Sequence, residues 1–168
     1  MPARRPESMP SVARRSRGLV LVALLIFMLF SAIVAMSAAE VWATARQRER
    51  ERELLFVGEQ YRQAIRRYYF ATPNGQARAL PARLEDLLSD ERFPTPVKHL
   101  RRAYPDPITG STEWGLVMRG RGIVGVHSLS QTTPIKQSGF VRANATFEGR
   151  SAYRDWVFLF VPSASARP

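Results

Sequence analysis

Apolar residues are distributed along this chain in three textures. From Gly18 to Ala39 there is a run of 22 residues with no charge, amide, His or Pro. A helix rises about 1.5 Å per residue, so a run of roughly 20 is long enough to cross the hydrocarbon core of a bilayer. Beyond it the texture becomes periodic: Leu54, Val57, Tyr61, Ile65 and Tyr68 recur at spacings of three and four, an apolar stripe on a helix. Between Ala43 and Ala71 there is no Pro and one Gly, Gly58, so a single helix is expected from about Leu19 to Phe70, on the order of 78 Å long. Thr72-Pro73-Asn74-Gly75 ends it. The third texture is short: Glu113–Arg119 and Gly122–Ser128 predict two strands joined at Gly120-Arg121, and Tyr153–Val161 predicts a strand in the middle of a sheet. Phe140–Phe147 is read as a weaker strand, Pro81–Leu88 as a short helix and Ser130–Ser138 as a polar loop. The expected fold class is α+β, with the stripe packed under a small antiparallel sheet holding Trp114, Ile123, Trp156 and Phe158.

Charge sets an orientation for the apolar run. Arg4, Arg5, Arg14, Arg15 and Arg17 precede it against one acid, Glu7, and short basic flanks stay in the cytoplasm. The amino end is therefore expected inside and everything beyond Ala39 outside. A cleaved secretory signal is the competing reading, with Ser37-Ala38-Ala39 and Ala43-Thr44-Ala45 as small-x-small sites, but its apolar region is usually only about 7–15 residues. Ser31, Ala35 and Ala39 recur every four residues, a spacing that lets helices approach closely in lipid and that also suits plain alanine-rich filler. Just outside, Arg46 to Glu53 alternates in sign; Arg48 with Glu51 and Arg50 with Glu53 are expected as solvated pairs.

Composition narrows the function. The net charge is +11, of which the leader supplies +4. The +7 left outside favours acidic lipid surfaces or an acidic partner, or is simply a solvated basic face, and no nucleic-acid module accompanies it. With no cysteine there is neither a disulfide nor a thiolate metal site. His99 and His127 have no ligand-spaced neighbours, Ser128 and Ser130 lie in no nucleophile elbow, and Glu85-Asp86 and Asp90-Glu91 read as a solvated face. No catalytic residue, metal site or cofactor is expected.

A basic leader ending in Gly18, an apolar helix directly after it, an amphipathic extension and a small sheet together resemble the type IV pilin superfamily. Within it the chain is most similar to a pseudopilin of a type II secretion system. Leu100–Gly110 with its Asp106-Pro107 turn, Glu113-Trp114-Gly115 and Gly122–Ser128 are similar to the turn and sheet of the major pseudopilin and its relatives. The resemblance covers about residue 14 to 130. It implies a leader over 1–18, a transmembrane helix over 19–40, its amphipathic extension over 41–72 and a periplasmic α+β part over 73–168. It implies cleavage between Gly18 and Leu19 by a prepilin peptidase, methylation of Leu19, and a single-pass protein of the bacterial inner membrane serving protein transport. Its partners would be other pilin-like subunits, the inner-membrane assembly platform and membrane lipid. Leu19 stands where the family usually has Phe, and Ala23, the fifth residue of the mature chain, where it usually has a Glu that compensates a neighbour's charged amino terminus. The departure at Ala23 implies a minor subunit, placed where that contact is made once or not at all. Some relatives bind calcium in an acidic loop; Ser128-Leu129-Ser130-Gln131 has no acid, so no calcium site is expected there. The alternatives are a minor pilin of a type IV pilus, a signal-anchored periplasmic binding domain that does not polymerise, and a soluble secreted protein.

Overall fold

The computed structural model describes residues 13–73 and 75–162, with the backbone alone for 13–17 and 34–39. The chain forms two compact units, Met1–Thr44 and Ala45–Pro168. Helix α1, Ala13–Phe70, supplies all the described structure of the first unit and opens the second. It starts ahead of Gly18 rather than at Leu19, because Ala13 to Arg17 is rich in good helix formers and the last preceding proline is Pro10. Most of the expected leader, residues 1–12, lies outside the described residues. In the first unit the described side chains from Leu19 to Ile33 are exposed, among them Leu19 at 75% and Phe27 at 69%. Among the described residues no helix is long and apolar enough to cross a membrane. The side chains of 34–39, which complete the uncharged run, are outside that set.

The second unit is α+β. Strands β1 (Gly115–Arg119), β2 (Gly122–His127) and β3 (Phe158–Leu159) form an antiparallel sheet in the order β1-β2-β3. Gly120, with φ +64°, takes the first of the two turn positions between β1 and β2, where the left-handed region is open to glycine at no steric cost. A bulge at Val124 shifts the register between Val117 and Met118. Strand β2 is central and buried along five of its six residues.

Two expected strands are corrected. Residues 153–161 do not form the middle strand: Tyr153–Asp155 is a 3₁₀ turn, and β3 is an edge strand of two residues. Tyr153 and Trp156 are both buried at a spacing of three, which an extended chain cannot present to one face and a 3₁₀ turn can. Leu159 and Val161, which made the segment read as apolar on both faces, are exposed. Residues 142–147 are 3₁₀ turns rather than a strand, since Phe140, Asn144 and Phe147 point inward at helical spacings of four and three. The helix expected over Pro81–Leu88 is one 3₁₀ turn, Leu84–Leu87, whose Asp86 carboxylate accepts from the backbone N–H groups of Ala82 and Arg83 at 3.0 Å each.

The core lies between α1 and this sheet. Leu54, Val57, Tyr61, Ile65 and Tyr68 share one buried cluster with Trp114, Ile123, Trp156 and Phe158, joined by Ala64, Leu87, Leu100, Val126, Phe147 and Tyr153. Trp156 stacks on Phe147 at 5.6 Å between ring centroids, and Phe158 meets the Phe147 ring edge-on at 5.1 Å. Gly58 explains how β3 reaches the helix: a Cβ built there would fall on the Phe158 ring. On helix propensity alone Gly58→Ala gains about 1 kcal/mol, whereas overpacking a closed contact costs about 1–3 kcal/mol. Gly58→Ala is therefore expected to lower the midpoint of thermal unfolding, and a raised midpoint would show that β3 yields freely.

Candidate assembly surfaces and buried polar sites

Among the described residues of the first unit, the apolar side chains from Leu19 to Ile33 are without cover. Gly18, Leu19, Ala23 and Ser31 are exposed there, and a Cβ at Gly18 would meet nothing within 4 Å. Ala35 and Ala39 have side chains outside the described residues.

Four polar clusters stiffen the second unit. Glu51 is 3% exposed, and its Oε1 accepts from the Tyr153 hydroxyl at 2.8 Å and the backbone N–H groups of Ile135 and Lys136 at 2.5 and 3.3 Å. It is thus not the solvated partner of Arg48. The periodicity that buries Leu54 buries Glu51 three residues earlier, so the carboxylate must find donors inside. Gln47 donates to the same Tyr153 hydroxyl at 2.9 Å and to the Thr133 carbonyl at 3.2 Å. Burial, with the Glu51 carboxylate beside it, pushes the Tyr153 hydroxyl up to about 12. The surface pair on this stretch is instead Arg52 with Glu49 at 2.6 Å.

Arg62 lies under Phe158 and donates to Asn144 Oδ1 at 2.5 Å and Glu59 Oε2 at 2.7 Å. Asp106 closes the Asp-Pro turn. Its carboxylate accepts from the Ser128 hydroxyl at 2.6 Å, the Ile108 N–H at 2.9 Å and the Thr109 hydroxyl at 3.0 Å. Ser128 is fully buried as the donor of this bond, Ser130 donates to the Thr132 hydroxyl, and the ring of His127 folds back on its neighbour's carbonyl with Nδ1 donating at 2.9 Å. These three side chains hold loops.

The fourth cluster corrects the reading of Asp90 as solvated. Asp90 is 1% exposed and bridges to Val97 through its backbone. Its carboxylate accepts from Arg92 at 2.6 and 2.8 Å and from His99 Nε2 at 3.0 Å. Arg92 stacks over the Tyr68 ring at 3.6 Å and donates to the Tyr68 carbonyl at 2.9 Å, so the cluster ties this loop to the end of α1. Burial alone would raise the Asp90 carboxyl, but the hydrogen bonds from Arg92 and His99 and the Arg92 charge outweigh it and hold it at about 2. A depressed carboxyl adds stability that is complete above its unfolded value near 3.8 and is lost as pH falls through about 2. In acid titration of stability the parent is expected to lose this contribution between pH 4 and 2. Asp90→Asn, already destabilised at neutral pH by roughly 2 kcal/mol, should lose nothing comparable in that window. Parallel acid titrations of the two would remove the cluster from the stability account.

Among the described residues no group of three or more His, Cys, Asp or Glu side chains is placed to hold a metal ion. Glu85, Asp86 and Glu91 line an open depression beside Arg83 and Arg92. No protein-family model, curated protein or solved structure matches this chain.

Proposed function

We propose that this chain is a pilin-like structural subunit, held in a membrane by the amino-terminal part of α1 and present in low copy in a type II secretion pseudopilus. One observation carries the proposal: a single helix divides its labour, with bare apolar side chains from Leu19 to Ile33 and a buried stripe from Leu54 to Tyr68 beneath a small antiparallel sheet. Large apolar side chains that the fold leaves in water demand another apolar phase, either lipid or the helices of neighbouring subunits. The sequence carries that run on, uncharged, to Ala39 and sets an arginine-rich segment ending in Gly18 before it. On this reading the amino end is cytoplasmic, the second unit is periplasmic, and the prepilin peptidase and assembly platform are the partners. The buried polar clusters serve packing, which supports a structural role. Ala23 supports the low-copy position, because a subunit without the carboxylate leaves a neighbour's charged terminus unpaired in an apolar core, at a cost of several kcal/mol. Quantitative mass spectrometry of purified filaments tests this: the chain is expected below every other pilin-like subunit in amount. An amount equal to or above the others would overturn the low-copy assignment.

A further inference from the structure

We propose that a groove on the second unit docks a protein segment carrying large apolar side chains beside carboxylates. The groove runs between one face of α1 and the loop over 135–144. Its apolar part, about 510 Å³, is lined by Leu55, Phe56, Phe140 and Val141, with Phe56 58% and Val141 68% exposed. It adjoins a cavity of about 400 Å³ through the shared Leu55 and Lys136, and the side chains facing that cavity include Arg48, Arg52 and Lys136.

Both walls are fixed before anything binds. Glu51 holds the backbone of Ile135 and Lys136 against the helix, and Arg62 holds Asn144 at the far end. A rigid apolar trough gains affinity because little ordering is left to the moment of docking. The carboxylates near the groove are already engaged: Glu51 faces inward, and Glu59 accepts from Arg62 at 2.7 Å and from Gln63 at 2.7 Å. Arg52 is already paired with Glu49 at 2.6 Å, whereas Arg48 makes no ion pair among the described residues and Lys136 lies over the Phe140 ring. What the rim offers to an incoming surface is therefore positive charge beside exposed aromatic and aliphatic side chains.

That combination selects the occupant. A second copy meeting this patch symmetrically would set one basic rim against another, which disfavours a self-pair. Two short, open cavities suit the side chains of a segment lying across α1, while an acyl chain calls for one continuous enclosed slot. An acidic segment with apolar anchors fills the trough and neutralises its rim, with the anchors supplying affinity and the charges selecting the partner. The inference stands on the groove alone and holds whether or not the chain is cut at Gly18.

The test places a photo-crosslinking amino acid at Phe56 in the full chain, expressed in its native host, and sequences the crosslinked peptide. A probe at Met118, exposed on β1, serves as the control position. The expected adduct is a segment of another protein with apolar residues flanked by Asp or Glu. Its yield should fall about tenfold in an Arg48→Glu background, because like charges then face each other. It should stay unchanged in Arg66→Glu, Arg67→Glu. Both backgrounds change exposed side chains and should keep the parental melting temperature, which checks that the fold is intact. An adduct to lipid, to a second copy or to a segment without carboxylates would overturn the proposal. So would the same adduct from Met118, no adduct at all, or a yield indifferent to the charge reversal.

Discussion

Ile65→Asp is expected to leave the second unit unfolded at room temperature. Ile65 is fully buried in the middle of the stripe, between Tyr61 and Tyr68 on the same face of α1. Removing its side chain from the core forfeits about 1.5–3 kcal/mol of apolar burial. The new carboxylate would lie in a cluster of aliphatic and aromatic groups, and leaving it ionised there costs several kcal/mol more. The total matches the whole net stability of an ordinary domain, about 5–15 kcal/mol. Circular dichroism of the full chain should show loss of the near-ultraviolet aromatic signal from Trp114 and Trp156. Ile65→Val, which trims one methylene, should cost only about 0.5–1.5 kcal/mol and keep that signal. An Ile65→Asp protein that melts at the parental temperature would take this face of α1 out of the core.

The second large effect concerns processing. If Gly18 is the residue before a prepilin-peptidase cut, Gly18→Leu should leave the leader attached, because a side chain at that place obstructs the peptidase. The consequence is close to all-or-none in the mass of the mature chain. Folding should be spared: a Cβ at Gly18 meets nothing within 4 Å, and leucine is a better helix former by roughly 1 kcal/mol. Loss of processing with an unchanged melting temperature separates recognition from misfolding. Trimming of Gly18→Leu at the normal rate would remove the peptidase assignment.

The α+β class and the β1–β2 hairpin were legible because each has a local signature, the 3.6 period in one case and Gly120 between two apolar runs in the other. What was not legible depended on partners distant in sequence. Glu51 looked like one more member of a charged run until Tyr153 and the backbone at 135–136 closed over it. Asp90 sat beside Glu91 as though on a wet face, yet Arg92 and His99 take it into the interior. In 140–147 and 153–161 the aromatic content favours strands, although Phe140, Asn144 and Phe147, then Tyr153 and Trp156, have turn-like spacings. Phe56 and Val141 carried no signal of their own, since a groove exists only where two walls meet.

The mass of the mature amino terminus tests the central claim most directly. A pilin-like subunit is expected to begin at Leu19 and to carry one added methyl group on its terminal nitrogen. That result would place the apolar helix at the very start of the mature chain, as assembly through it requires. An intact leader would point to a plain signal anchor, and a start at Glu40 or Arg46 to a secreted protein that has lost the helix; either would contradict the account.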